Sequence, residues 1–231
     1  MRNYEVKHVR VVGPVQELVA NPSGLGLLGL AMVTLVASSQ KLGLTGGPTG
    51  SVAFVLPWAI FLGAFAQLIA GLYDFKHNNT FGATAFCAYA LFWFGVAMSW
   101  MIKMGVFGPA VATTADIKQL GYAFLGYFVF SVYMTIGSMG THKVLFLIFC
   151  LIDVLFLGLF MSTLGWGGQV WHHIAAQSEL LISILAFYAS AASVLNTHYN
   201  QEVLPVGQPF GPWVKPAVRK AHPDLTTSAT H

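Results

Sequence analysis

The placement of the charged residues constrains this chain more than anything else about it. Residues 18–40, 42–73, 77–102 and 119–142 contain no Asp, Glu, Lys or Arg, and from Lys143 to Gln201 only Asp153 and Glu179 interrupt. A helix needs roughly 20 mainly apolar residues to cross ~30 Å of hydrocarbon, and these runs are long enough. With 56% apolar and 8% charged residues, the chain has too few charges to cover a globular surface, since soluble domains run near ~25% charged. It reads as an integral membrane protein that partners the lipid bilayer.

A bilayer leaves unpaired backbone amides no partner, so its spans are helices or closed barrels. Barrel strands alternate over ~10 residues, and Val144-Leu145-Phe146-Leu147-Ile148-Phe149-Cys150 does not alternate. The expected fold is an all-α, six-transmembrane-helix bundle, with helices at about 22–40, 51–73, 82–103, 119–139, 143–165 and 173–197. Asn21-Pro22 starts the first helix as an N-cap followed by Pro. Gly-rich turns and Asn78-Asn79-Thr80 punctuate the connections.

Arg2, Lys7, Arg10, Lys76, Lys143, Lys215, Arg219 and Lys220 fall on one side of such a bundle, and Lys41, Lys103 and Lys118 on the other. That asymmetry predicts both termini in the cytoplasm. The expected organisation is a cytoplasmic N-terminal segment (1–20), the six-helix domain (21–200) and a proline-rich cytoplasmic tail (201–231) read as an irregular strap.

Several function classes drop out. A net charge of +3 spread along the chain is no nucleic-acid surface. Cys87 and Cys150 lie within spans, and two thiols alone make neither a structural zinc nor an iron–sulfur site. The eight histidines fall in tails, loops or helix ends, whereas an embedded haem needs them at membrane depth. No acid pair or Ser/His set at depth carries a protease motif. Neither enzymatic chemistry nor a cofactor or metal is expected.

The candidate functional residues are polar groups among small ones. Gly24, Gly26, Gly29 and Ala31 crowd the first helix, Gly63, Ala64, Ala66, Ala70 and Gly71 the second, and Ala186, Ala189, Ser190, Ala191, Ala192 and Ser193 the sixth. Such residues let helix backbones approach closely, or leave room beside a pore. The helix start in Asn21-Pro22-Ser23-Gly24-Leu25-Gly26-Leu27 presents unpaired N–H groups and a positive dipole end. It suits a carboxylate or phosphate, or is an ordinary interfacial helix start.

Asp153 and Glu179 sit within apolar runs, where an ionised carboxylate costs ~2.5–3.5 kcal/mol. They are protonatable groups in a permeation path, or Asp153 bonds a neighbouring hydroxyl and Glu179 stays wet near the outer interface. Gln67 is a buried amide that must bond another helix or a passing solute. Tyr89 and Trp93, four residues apart, share one helix face.

Three blocks of this sequence resemble the acetate uptake transporter family, which includes bacterial succinate–acetate permeases and fungal acetate/ammonia transport proteins. The stretch Asn21-Pro22-Ser23-Gly24-Leu25-Gly26-Leu27 is similar to the family signature Asn-Pro-Ala-Pro-Leu-Gly-Leu, departing at Ser23 and Gly24. Gly63-Ala64-Phe65-Ala66-Gln67-Leu68-Ile69-Ala70-Gly71 and the run from Asn79-Thr80-Phe81-Gly82 through Tyr89 to Phe92-Trp93 match nearly residue for residue. Val194-Leu195-Asn196 and Val203-Leu204-Pro205-Val206-Gly207 match the C-terminal block.

The resemblance implies a six-helix protomer in a homo-hexamer of the plasma membrane, each protomer with its own path for acetate and, in some members, succinate, as a proton-coupled carrier or an anion channel. It places the path's constriction at Leu30 (a phenylalanine in the family), Tyr89 and, within about one residue, Ile152. Candidate substrate contacts, from the residues and the resemblance taken together, are Asn21, Pro22, Gly24, Leu25, Gln67, Trp93, Asp153 and Asn196. Asp153 departs from the uncharged residue expected there. The reading is a transporter or channel for acetate and related small monocarboxylates. Ammonia or ammonium movement and a non-transporting scaffold subunit are the alternatives.

Overall fold

Every charge-poor stretch long enough to span a membrane forms a helix in the computed structural model, which describes residues 19–213. The spans are α1 (Ser23–Lys41), α2 (Leu56–Lys76), α3 (Thr80–Lys103), α4 (Ile117–Ser138), α5 (Lys143–Thr163) and α6 (Gln169–Tyr199). Among the described residues there is no strand. Arg2, Lys7, Arg10, Lys215, Arg219 and Lys220, which carry most of the Lys/Arg asymmetry, lie outside the described residues, as do most of segment 1–20 and the end of the tail.

Local chemistry sets the helix ends. Asn79 Oδ1 accepts from the Gly82 N–H at 3.1 Å and starts α3. Asp116 Oδ1 accepts from Lys118 N–H at 2.9 Å and starts α4. Past the end of α6, Asn200 adopts φ 52°, the left-handed conformation that stops a helix.

Two features depart from a plain six-helix reading. A short helix, Pro109–Thr114, interrupts the connection between α3 and α4. Within α2, residues Ala59–Ala66 are wound as a π-helix. There Gln67 Nε2 donates to the Gly63 carbonyl at 2.7 Å, and the Leu62 carbonyl lies against Gly29 of α1. π-turns of this kind recur at functional sites.

The small residues serve close packing. Along the α1–α6 seam, Ser190 Oγ donates to the Gly24 carbonyl at 2.7 Å and Ser183 Oγ to the Ala31 carbonyl at 2.9 Å. A methyl group on Gly24 would come within 2.9 Å of Val194 Cγ2, and one on Gly63 within 2.9 Å of the Trp93 ring. Lipid offers helices no hydrophobic drive to associate, so close backbone approach and interhelical hydrogen bonds hold such a seam. The bundle centre is filled by Val33, Phe92, Trp93, Phe156 and Ile182. Trp58, Phe61, Phe65, Ile69 and Leu72 form an outward apolar stripe on α2 at helical spacing.

The two extremities are fastened differently. At the C-terminal end of α1, Lys41 Nζ meets Glu179 Oε2 at 2.8 Å, and Glu179 is only 2% exposed. The expectation that Glu179 stays wet is thus corrected: it is a buried ion-pair partner. At the opposite end the tail crosses the bundle as a strap. The Val144 N–H donates to the Val206 carbonyl, the Phe210 N–H to the Met139 carbonyl and Tyr188 Oη to the Pro205 carbonyl. The Phe210 ring packs edge-on against Phe146.

Candidate functional site: a vestibule closed by Leu30, Tyr89 and Ile152

On α1, Ser23, Leu27 and Leu30 follow the i, i+4, i+7 spacing of one helix face. That face lines a cavity of about 180 Å³. Gln67 and Asp74 of α2 line it too, with Phe81, Gly82, Ala85, Phe86 and Tyr89 of α3 and Leu145, Ile148, Phe149 and Ile152 of α5. Asn79, Thr141 and His142 complete it from the connections. The volume is below the ~300–1,000 Å³ of drug-sized sites and suits a solute of a few heavy atoms.

The cavity gathers the starts of three helices at one end of the bundle: Ser23 begins α1, Asn79 caps α3 and His142 caps α5. Each contributes a positive dipole end. Leu30 lies about 10 Å along α1 from Ser23, and Tyr89 and Ile152 about 13 Å from the starts of α3 and α5, at 1.5 Å per residue. The three residues expected to form a constriction therefore share one level, roughly a third of the way across, and all line the cavity. Beyond them the core is packed.

Tyr89 is held firmly. Its hydroxyl shares a 2.6 Å hydrogen bond with Ser131 Oγ of α4. Its ring lies 6.1 Å from Phe149, 6.2 Å and nearly parallel to Phe156, and edge-on to Phe130 at 5.4 Å. The polar groups of the vestibule are less committed. His142 Nδ1 accepts from the Leu145 N–H at 3.1 Å, so in the neutral ring the proton sits on Nε2. Burial pushes the His142 imidazole down from its ordinary value. Asp74 is 2% exposed, and its Oδ2 has no hydrogen-bond partner among the described residues.

Of the residues read from sequence as substrate contacts, Gln67 lines this cavity, as do the constriction residues Leu30, Tyr89 and Ile152. The others do not, for identifiable reasons. Asn21 is exposed, and its Oδ1 accepts from the Ser23 N–H at 2.9 Å. It serves the helix start, which the structure puts at Ser23, with Pro22 at the cap position instead of within the helix. Gly24 is turned toward α6, and Leu25, 41% exposed, points outward. Trp93 shares the Tyr89 face one turn further on, past the cavity floor, where it packs on Gly63.

Asp153 faces α4 and accepts from Thr135 Oγ1 at 2.7 Å. Asn196 is used by the strap: its Nδ2 donates to the Leu204 carbonyl, and its Oδ1 accepts from the Val203 and Leu204 N–H groups. Sequence reasoning passed over Ser23, Asp74, Asn79 and His142 as lining residues. Asp74 carried a usable signal, because Gln67, Gly71 and Asp74 lie at i, i+4 and i+7 on one face of α2.

Comparison with known proteins bears on this geometry. The chain is 34% identical over 192 residues to the succinate-acetate/proton symporter SatP of Escherichia coli K12, covering 82% of this chain and 96% of that protein. It is 27% identical over 212 residues to acetate permease A of Emericella nidulans, covering 84% of this chain and 68% of that one. A solved structure described as the bacterial acetate channel SatP superposes with a TM-score of 0.74 at 30% identity, over 82% of this chain and 100% of the other. Residues 8–208 match the GPR1/FUN34/yaaH family, and the chain belongs to that family.

Proposed function

We propose that this protein moves acetate and related small carboxylates such as succinate across the plasma membrane, with co-movement of a proton. The observation that carries the reading is the small vestibule, ringed by three helix starts and closed by Leu30, Tyr89 and Ile152. The dipole ends favour an anion at the mouth, and an apolar floor with one fixed phenol lets a small carboxylate approach only after shedding water. The names of its relatives point to the same substrates and to a proton as partner.

On this reading Ser23, Gln67, Asn79 and His142 meet the substrate in the vestibule, and Leu30, Tyr89 and Ile152 select by size. The vestibule faces the cytoplasm, with both termini inside, as the Lys and Arg distribution favours. The outward apolar stripe on α2 packs on lipid or on neighbouring protomers of a homo-hexamer.

Purified protein in liposomes tests this. Labelled acetate should exchange with internal acetate faster than in protein-free liposomes, and unlabelled succinate should compete. Labelled methylammonium moving in place of acetate would favour ammonium transport. No protein-dependent movement of either would leave a scaffold.

A further inference from the structure

We propose that Asp74 is the group that takes up the transported proton, and that it does so by sharing that proton with the substrate carboxylate in the vestibule. The inference rests on the carboxylate-transport reading above and deepens it. Asp74 sits in the last turn and a half of α2, 2% exposed, and lines the cavity. The Asn79 side chain lies beside it at Gly82, yet Oδ2 is buried with no hydrogen-bond partner among the described residues. A buried, unpartnered carboxylate oxygen is costly unless something completes it.

The space around that oxygen is specific. A methyl group on Gly82 would collide with both Asp74 Oδ2 and Asn79 Nδ2, so only glycine at the start of α3 lets the carboxyl lie where it does. The Asp74 backbone carbonyl also accepts from the Asn79 N–H at 3.0 Å, which ties the carboxyl to the α3 start. Among the described residues the ionisable groups near Asp74 are few, and Lys76, two residues on, is set over the Tyr73 ring. His77 lies at the end of its own helix, Cys87 faces it from α3, and His142 stands on the cavity wall from the start of α5. The α1 face carries no ionisable group there, and the Asp74 carboxyl has no ion-pair partner among the described residues.

Two carboxylates in one small cavity cannot both stay ionised at low cost. A vestibule of about 180 Å³ is too small to keep a bound carboxylate well away from Asp74. When the anion enters, Asp74 takes one proton from bulk solution, and its O–H donates to a substrate carboxylate oxygen. When the anion leaves, the O–H loses its acceptor and the proton returns to solution. Anion and proton thus bind with reciprocal coupling, and no covalent bond changes beyond that O–H.

The test compares wild type, Asp74→Asn and Asp74→Glu in liposomes, with rates from protein-free liposomes subtracted because acetic acid crosses lipid unaided. Two quantities are read: acetate counterflow at equal pH, and the gain in initial net uptake under an inward proton gradient of one pH unit. Wild type and Asp74→Glu should show counterflow and a several-fold gain. Asp74→Asn, whose amide can still donate to the substrate, should show slower but measurable counterflow and no gain. A wild-type gain in Asp74→Asn overturns the inference alone, as does loss of the gain in Asp74→Glu with counterflow intact. Absence of counterflow in wild type overturns the transport reading and this inference with it.

Should the variants not transport, difference infrared spectra of the folded proteins on adding isotope-labelled acetate decide. A carboxylic-acid band that appears in wild type and is missing from Asp74→Asn supports the assignment. An unchanged band in Asp74→Asn overturns it.

Discussion

Glu179 and Asp74 are both acids at 2% exposure in the same bundle, near its opposite ends, and they are treated in opposite ways. Glu179 is met at 2.8 Å by Lys41, so the C-terminal end of α1 is pinned to the interior of α6 by a desolvated ion pair. Asp74 has no ion-pair partner among the described residues and lines a small cavity instead. A buried carboxylate with a fixed cation has no use for a proton or ligand and acts as a clamp. A buried carboxylate facing a cavity is incomplete until a proton or ligand arrives. Among the described residues a fixed ion-pair partner, and not burial, distinguishes Glu179 from Asp74.

The largest expected effect comes from breaking the clamp. Removing one partner of a buried pair strands the other charge and costs about 3–5 kcal/mol, whereas replacing both with apolar residues is often close to neutral. Lys41→Met should therefore lower thermal stability in detergent severely, and Lys41→Met/Glu179→Leu should recover most of the loss. Among the described residues Asp74→Asn strands no ion-paired cation, and it should change stability by less than about 1 kcal/mol, the net worth of an ordinary hydrogen bond. A double-mutant cycle that finds no coupling between Lys41 and Glu179 would dissolve the distinction between the two acids.

Next in size is the vestibule floor. Tyr89 is held by Ser131 and by rings on α4 and α5, which on the proposed transport reading makes it a fixed size limit. Tyr89→Ala opens that level and should raise uptake of succinate relative to acetate by about tenfold, the low end of what pocket size discriminates. It should also cost several kcal/mol of packing, roughly 3–5, so the ratio must be taken per folded protein. An unchanged ratio would make Tyr89 core packing and move the selectivity elsewhere.

A smaller effect sharpens the comparison at the vestibule mouth. Burial holds the His142 imidazole below its ordinary value, and neutral Nδ1 caps α5 through Leu145. As pH falls through ~6.5 the unfolded chain binds the proton first, so stability is full above that pH and declines below it. The loss should approach about 1 kcal/mol, the worth of one cap. Melting temperatures between about pH 7.5 and 5 check this, and His142→Asn, which keeps a cap acceptor, should flatten the dependence.

How much of this was legible in the sequence differs by level. The spans were, because a 20-residue apolar run has one solution in a bilayer. The observed helices start or end within about five residues of the expected ones. Leu30, Tyr89 and Ile152 were named together through the family resemblance, and the geometry puts all three on one cavity wall. The helix-one signature shows where such reading stops. Its residues are neighbours in sequence, but a helix turns ~100° per residue, so Ser23 lines the cavity while Gly24 meets α6 and Leu25 points outward. Asn196 sits in a well-matched block, yet its amide serves a strap whose course depends on long-range backbone contacts. In the π-turn of α2 the Gly63 carbonyl takes the Gln67 side-chain amide and the Leu62 carbonyl lies against Gly29 of α1, an arrangement no local propensity encodes.

Asp153 gives the smallest predicted effect and the strictest check on the comparison, because it resembles both other acids in part. Like Glu179 it has a partner, since Thr135 Oγ1 donates to its Oδ2 at 2.7 Å. Like Asp74 it keeps a buried oxygen, Oδ1, without one among the described residues. It lies at the level of the constriction, one residue past Ile152, but helical phase turns it from the cavity toward α4. If exposure to the cavity is what makes an acid a proton carrier here, Asp153→Asn should keep both acetate counterflow and the gain from an inward proton gradient. Its amide still accepts from Thr135, and the change in stability should stay within about 1 kcal/mol, the net worth of an ordinary hydrogen bond. Loss of the gradient response in Asp153→Asn, with counterflow intact, would move the proton site from the vestibule mouth to the α4–α5 contact. The Tyr89–Ser131 hydrogen bond, one turn of α4 from Thr135, would then be the nearest polar link between that carboxyl and the path.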